Sequence, residues 1–439
     1  MRRTFSIAAV VGALCLVVTA AQGPPAPRVV MISIDGLMPV SYTTAEPPAP
    51  QLRQLAAAGV SASGVVGVMP TVTFPSHTTL ITGVEPAVHG IVDNLILDPE
   101  NRGGGAWNWY ARNIKAPTLP SALRAKGMKS AAITWPVSVG MDVDYLVPEF
   151  FRSSHPESLT ILRELSKPAT LLDQVERDRG TPFGWPQTDR DRTDLTKFII
   201  RHHDPNLLLL HLIELDSAQH AHGPGSPQAV ETLRRLDGYV AEIVDTVKAL
   251  GRPTHIAIVS DHGFLPVEKV VQPNAAFKDA GLVTVDARGV ITDWRAYFHA
   301  SGGSGFVYVK DAAMKDKVHE LLQRLKQDPA NGIREIWTRA QLDAMGAHPD
   351  AAFGLDVVDG FYTGVGTDAV VKATPTRGGH GFAADRPALH ASFILTGPSV
   401  RQRGSLGVIR MTRIAPTLAR ILGVSLSTAA AEPLPIASH

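Results

Sequence analysis

Three aspartates and three histidines stand where apolar runs of strand length give out. Asp35 follows residues 28–34, Asp216 and His220 follow residues 207–213, Asp261 and His262 follow residues 255–260, and His380 lies in Arg377-Gly378-Gly379-His380-Gly381. Carboxylate oxygens and imidazole nitrogens without sulfur form a hard-to-borderline ligand set, which suits zinc ahead of manganese or other divalent ions. Six ligands exceed what one tetrahedral ion takes. They suit two ions roughly 3.5 to 4 Å apart, a pair that clamps the entering and leaving oxygens of a phosphoryl transfer. The segment Pro70-Thr71-Val72-Thr73-Phe74-Pro75-Ser76-His77 adds a nucleophile, because a threonine hydroxyl that is weak at neutral pH needs no histidine base beside a divalent ion. Taken singly, each residue has a plainer role. A strand-end Asp often caps the next helix, Thr73 could be an N-cap, and most of the 16 histidines belong to surface or core. It is the co-occurrence of the whole set that points to chemistry.

Residues this far apart in the chain meet only if the elements before them end at one place. In an open α/β sheet, ligands bind beyond the carboxyl ends of the strands, which is where all these groups fall. The runs at 28–34, 129–134, 207–213, 255–260 and 391–396 are near-continuously apolar, as buried parallel strands are. Helical spacing predicts helices over 50–58, 119–126, 314–327 and 412–422 between and after them. The most strongly marked helix has Ser226 as N-cap, Pro227 at its first position, a stripe from Val230 to Val247, and a stop at Gly251. This alternation predicts an α/β fold: a doubly wound, mainly parallel sheet with helices on both faces. Residues 266–375 are less regular, with a strand expected at 306–309 after a glycine-rich joint at 301–305, and read as an inserted cap within a single domain over 24–439. The last dozen residues read as a loose tail.

Five segments taken together resemble the nucleotide pyrophosphatase/phosphodiesterase family of the alkaline phosphatase superfamily. They are Met31-Ile-Ser-Ile-Asp35-Gly36, the Thr-Phe-Pro-Ser-His segment with His89-Gly90-Ile91-Val92-Asp93-Asn94, Glu214-Leu-Asp216-Ser-Ala-Gln-His220-Ala-His-Gly-Pro224, Ser260-Asp261-His262-Gly263, and Gly379-His380-Gly381. The match runs in order from about residue 28 to 424. The resemblance implies an alkaline-phosphatase-like fold and a metal-dependent phosphoric diester hydrolase with two zinc ions per chain. It makes Thr73 the nucleophile and puts Asp35, Asp261, His262 and the Thr73 oxygen on one zinc, with Asp216, His220 and His380 on the other. It further implies that Asn94 hydrogen-bonds a non-bridging phosphoryl oxygen and that Phe74 stacks a nucleobase, with Trp185 or Phe183 as candidates for a second stacking ring. Ser76 stands where many members have Asn. His77, His89, His211 and His222 are assigned structural or supporting roles, His222 being the one nearest to a ligand role.

Several neighbouring functions are weighed against this. Threonine-nucleophile monoesterases of the superfamily place a Lys and an Arg after the strand that here ends in Thr134-Trp135-Pro136-Val137-Ser138, and neither is present. A sulfatase lacks its cysteine. A non-catalytic metal-binding protein would have lost a ligand or the nucleophile, and all seven positions are intact. A lipid-headgroup phosphodiesterase, acting on choline or glycerol diesters, stays open beside the nucleotide reading.

Residues 1–23 have the layout of a secretory signal peptide: Arg2 and Arg3, an apolar stretch over 5–18, then the small residues Thr19, Ala20 and Ala21. That stretch is short for a membrane span, so no span is expected after its removal. The single cysteine, Cys15, lies inside it, so the mature chain has no disulfide or thiolate, which suits a bacterial periplasm. The net charge of +1 includes Arg2 and Arg3, which leaves the mature chain near neutral. Such a surface gives no footprint for long nucleic acids or anionic membranes, and a small-molecule diester or nucleotide is the expected partner. The sequence sets no oligomeric state.

Overall fold

β1 (Val29–Ile34) buries Val30, Ile32 and Ile34 in one core and Val29 and Met31 in another. Both faces of its sheet are covered, which is why the run reads as continuous rather than alternating. The computed structural model describes residues 27–46, 48–150 and 157–436, so the signal-peptide reading of residues 1–23 lies outside the described residues. After β1 come α1 (Pro50–Ala58), β2 (Val60–Ser61), α2 (Thr73–Thr82), β3 (Ser130–Ile133) and β4 (Tyr145–Val147). The chain continues with α3 (Asp189–His202), β5 (Leu207–Leu212), α4 (Glu214–His222), α5 (Pro227–Ala249) and β6 (His255–Val259). Next are β7 (Leu265–Val271), β8 (Ala296–Ala300), β9 (Ser304–Val309), α6 (Lys315–Gln327), β10 (Ile333–Trp337) and β11 (Phe353–Val357). β12 (Phe393–Thr396), β13 (Gly404–Ser405) and α7 (Ile414–Leu422) follow.

The central sheet has the order β13-β2-β12-β6-β1-β5-β3-β4. Strands β6, β1, β5, β3 and β4 are all parallel, with β1 between β5 and β6. Helices α1, α3 and α5 pack on one face and α2 and α7 on the other, as the doubly wound reading expects. The strand expected from residue 391 begins at Phe393 and runs antiparallel to β6 and β2. Its direction follows from its position in the chain, since it leaves the His380 loop at the carboxyl edge of the sheet and must run away from that edge.

Local chemistry accounts for the helices. In α5 the Ser226 hydroxyl accepts from Ala229 N at 3.2 Å, Pro227 occupies the first turn, and Leu236, Val240, Ile243, Val244 and Val247 are buried. The helix expected from residue 412 starts at Ile414, because 411–413 form a 3-10 turn, and the one expected over 119–126 spans Leu119–Arg124 with Thr118 and Ser121 in a capping box. α3 was not expected. Its first turns are Asp189-Arg-Asp-Arg, whose charges mask the apolar period that Leu195, Phe198 and Ile199 carry.

Between β6 and β12 the chain builds a separate antiparallel sheet, β8-β9-β11-β10, with a core of its own that includes Phe298, Val307, Leu322 and Leu355. β9 begins at Ser304, two residues before the expected strand and inside the expected joint. The turn ahead of it is pressed on the His380 loop, with Gly303 N donating to His380 O at 2.8 Å.

Candidate active site

β1, β5 and β6 are adjacent and parallel, so their carboxyl ends reach one edge together. Asp35 follows β1, Asp216 sits in the first turn of α4 after β5, and Asp261 and His262 follow β6. They form two groups whose ligand atoms lie within 4.8 Å of one another: Asp35 with Asp261 and His262, and Asp216 with His220 and His380. The first group is deeply buried, while the side chains of Asp216 and His220 keep 15% and 30% exposure, so the second group faces the solvent entrance. The two groups adjoin, since the His262 and His380 rings stack at 3.5 Å.

Each group leaves lone pairs aimed inward. Asp35 Oδ2 lies 3.0 Å from His211 Nε2, and Asp261 Oδ1 accepts from Gly36 N and His262 N, both at 3.1 Å. The other oxygens, Asp35 Oδ1 and Asp261 Oδ2, are buried and make no hydrogen bond, nor do Asp216 Oδ1 and both ring nitrogens of His262, whose Nε2 lies 3.1 Å from Asp261 Oδ2 and 3.4 Å from Asp35 Oδ1. His220 Nδ1 donates to Gly378 O at 2.8 Å and His380 Nδ1 to Thr71 O at 3.2 Å, which turns each Nε2 toward Asp216, at 3.4 and 3.7 Å. Imidazoles fixed by a carbonyl on one nitrogen and free on the other are the usual state of metal-binding histidines.

The electrostatics point the same way. Burial, then repulsion from Asp261 and Asp216, pushes the Asp35 carboxyl well above the usual carboxylate range. Burial, then His262 and His220, holds His380 well below an ordinary imidazole. A divalent cation favours both the ionised carboxylate and the neutral imidazole, and it gives partners to the orphaned atoms. The residues present therefore fit two divalent cations.

Thr73 opens α2, a helix in which all ten side chains are buried. Its N-cap, Val72, has no side-chain acceptor, and the Phe74 N–H is satisfied instead by Asn94 Oδ1 at 2.8 Å. Asn94 thereby keeps its NH2 group free to donate. His77 Nδ1 donates to Thr73 O at 2.9 Å and Nε2 accepts from Ser33 Oγ at 2.8 Å, tying the first turn of α2 to β1. Burial, then the adjacent His211, pulls its pKa down to about 3, so the ring is neutral. His211 is the opposite case. Burial pulls it down, but the bonds to Asp35 and Glu149 outweigh this and raise it to about 10.

The remaining candidates fall outside the two groups. The Phe74 ring is fully buried against Trp107 and Trp109, with centroids 5.2 and 5.9 Å away, so no face of it is bare. Phe183 is buried in the α3 and α5 core under Arg179, and Trp185 packs on that same core. His89 is a buried structural residue whose ring contacts Thr79 Oγ1 at 3.1 Å, while His222 is exposed. Ser76 is buried with its hydroxyl unpartnered. Sequence reasoning missed Glu149 and the Trp107–Trp109 pair. The tryptophans left one signal, the repeat Trp107-Asn108-Trp109, whose rings stack with centroids 5.6 Å apart across a tight turn closed by Trp109 N on Trp107 O at 2.9 Å and tied by Asn108 N to Asn94 O at 2.9 Å.

A family model described as type I phosphodiesterase / nucleotide pyrophosphatase matches residues 29–349. The chain is 26% identical over 250 residues to ectonucleotide pyrophosphatase/phosphodiesterase family member 1 of Homo sapiens, which covers 54% of this chain and 23% of that protein. It is 28% identical over 254 residues to an uncharacterized pyrophosphatase/phosphodiesterase of Schizosaccharomyces pombe, covering 54% and 45%. The matches thus span about a quarter of the first of these relatives and under half of the second. Human ectonucleotide pyrophosphatase/phosphodiesterase 5 superposes with a TM-score of 0.65 at 18% identity, covering 91% of this chain and 96% of that one. The murine protein, solved as an inactive form in complex with AMP, gives 0.66 with the same identity and coverage. At that identity the likeness is one of fold, the alkaline-phosphatase-like α/β sheet with helices on both sides. Among the described residues no helix is long and apolar enough to cross a membrane.

Proposed function

Because the chain belongs to the type I phosphodiesterase / nucleotide pyrophosphatase family, we propose that it hydrolyses phosphodiester or phosphoanhydride bonds of small molecules through a covalent intermediate on Thr73. One observation carries the reading. Asp35, Asp216 and Asp261 each leave an inward carboxylate oxygen without a donor, in two adjoining groups at the strand edge near the buried turn that bears Thr73. Zinc is the ion we assign, two per chain, held by Asp35, Asp261, His262 and the Thr73 oxygen, and by Asp216, His220 and His380. When bound, the ions supply positive charge to the phosphoryl oxygens.

The residues of the chain do the rest. The Thr73 hydroxyl oxygen attacks phosphorus and the ester alcohol or phosphate leaves, taking up the hydroxyl proton; water then attacks the threonyl phosphodiester, releases the phosphate monoester and returns the hydroxyl. Asn94, anchored through Oδ1, donates from its NH2 to a non-bridging oxygen and stabilises the charge that grows there. The segment 134–138 after β3 is largely buried and has no Lys or Arg, so the extra charge of a monoester dianion goes uncompensated and diesters are preferred. The diester substituent rests on the Trp107 and Trp109 rings that cover the buried Phe74, which suits a nucleobase, and the murine structural relative was solved in complex with AMP. We read residues 24–439 as one exported catalytic domain with 266–375 as its cap, in keeping with the "ecto" names of the relatives. Residues 1–23 would be the signal peptide and a bacterial periplasm the compartment.

The test compares Thr73→Ala with Thr73→Ser on thymidine 5′-p-nitrophenyl phosphate. The alanine form should lose turnover while keeping fold and metal, and the serine form should keep measurable activity. A chiral phosphorothioate diester should react with retention at phosphorus, the sum of two in-line displacements, and inversion would rule the covalent route out.

A further inference from the structure

Behind Asp35 lies a buried line of groups that the hydrolytic chemistry does not itself use. His211, next to last in β5, sits beside Ser33 of β1 in the strand register, with its side chain almost wholly buried. Its Nε2 is 3.0 Å from Asp35 Oδ2, and its Nδ1 is 3.0 Å from Glu149 Oε2, with Thr134 O next nearest at 3.2 Å. Glu149 follows β4, at the far side of the sheet, and its own N–H is held by Ser138 Oγ at 3.0 Å. The line thus runs from β4 under the end of β3 to β5 and ends on a carboxylate beside β1.

Burying two carboxylates is costly unless they are paired, and here one imidazole pairs both. The line is not needed to register the strands, since β1 and β5 are joined by a continuous parallel ladder along their whole length. Its effect is on one atom. By engaging Asp35 Oδ2, His211 leaves Oδ1 as the inward, unpartnered oxygen of that side chain and stops the carboxylate from rotating. We infer that His211, itself oriented by Glu149, is a positioning residue that presents Asp35 to the ion of the first group as a one-oxygen ligand. This rests on the paired-metal reading above. Partners of this kind around ligands typically change metal affinity 10–100-fold.

The experiment uses the full chain loaded with zinc, and in parallel with cobalt(II) as a spectroscopic probe, in His211→Ala, Glu149→Gln and the double variant. His255→Asn serves as a control. It is also buried and also bonded, to Ser399 Oγ, but it begins β6 at the opposite end from Asp261. Chelator competition should show one of the two ions held 10–100-fold more weakly in His211→Ala and a smaller loss in Glu149→Gln. The cobalt absorption should shift in both variants and stay unchanged in the control. If Glu149 acts through His211, the double variant should match His211→Ala rather than add to it. Glu149→Gln keeps volume and backbone bonds, so it tests the line even if His211→Ala folds poorly. A wild-type chain that holds two ions, with unchanged affinity and spectrum in Glu149→Gln and His211→Ala, overturns the relay alone. A wild-type chain that holds neither zinc nor cobalt overturns the metal reading and the relay with it.

Discussion

Asn94 works in two directions, and single substitutions separate them. Its Oδ1 satisfies Phe74 N at the start of α2, while its NH2 is the free donor beside the turn that bears Thr73. Asn94→Asp keeps the acceptor and replaces the donor with a negative oxygen, whereas Asn94→Ala removes both. We expect both variants to lose about 10²-fold or more in kcat/KM on thymidine 5′-p-nitrophenyl phosphate, with thermal stability lowered only in Asn94→Ala. Activity spared in Asn94→Asp, with stability lost in Asn94→Ala alone, would leave Asn94 as a helix cap. At the aromatic wall, Trp107→Ala should reduce the preference for thymidine 5′-p-nitrophenyl phosphate over p-nitrophenyl phosphate by roughly 10-fold, in line with a stacking energy of ~1 to 3 kcal/mol. Phe74→Ala should also lower the melting temperature, because its ring is fully buried. The candidate ligands were legible as a set, because Asp and His recur after several apolar runs, although each alone has a plainer role. Trp107 was not, since its value comes from lying against Phe74, a contact between segments that no local pattern announces.

Between elements, the tightest joint is where the cap meets the His380 loop. A Cβ on Gly302 would lie 2.2 Å from His380 O, and one on Gly381 would lie 2.0 Å from Ser301 O, with both glycines at positive φ. The backbones touch, and only glycine permits it. Gly302→Ala should therefore displace His380, lowering zinc content toward one ion per chain and reducing activity at least 10-fold, with the secondary structure seen by circular dichroism intact. Elsewhere, α3 is tied to α5 by Arg190 and Lys197 on Glu242, the latter's carboxyl held at about 2, first by Arg190, against burial, then by Lys197. A depressed folded pKa contributes stability above the unfolded value near 4.5 and loses it as pH falls through about 2. Glu242 is 40% exposed, so Glu242→Gln should cost under about 1 kcal/mol at pH 7. The difference from wild type in urea denaturation should shrink as pH drops below 4.5. Of the helices that sequence reasoning found, α5 carries its Ser226 cap and apolar stripe in plain view, while α1 begins at Pro50 with no side-chain cap. α3 is capped as well, by Thr188 in a capping box with Asp191, but the charges of its first turns mask the apolar period behind them.

For the molecule as a whole, two cores sandwich the central sheet and a third fills the cap. None of them contains the ligand groups, so chelation should leave the fold standing while it lowers the melting temperature. An ion present at 1,000 times its Kd adds about 4 kcal/mol, a loss that calorimetry with and without EDTA would register. An unchanged melting temperature would count against tightly held ions. By itself the sequence determined the sheet class and which residues could bind metal, because short continuous apolar runs alternating with helical segments read as strands covered on both faces, and parallel strands end at one edge. Tertiary structure alone decided which oxygen of each aspartate faces inward, that Phe74 lies beneath two tryptophans, that the last long strand runs antiparallel, and that Glu149 reaches Asp35 through His211. The reason is physical: the position of a strand is written in local hydropathy, but its direction and the partner of a side-chain lone pair are chosen across a packed interior from residues distant in the chain.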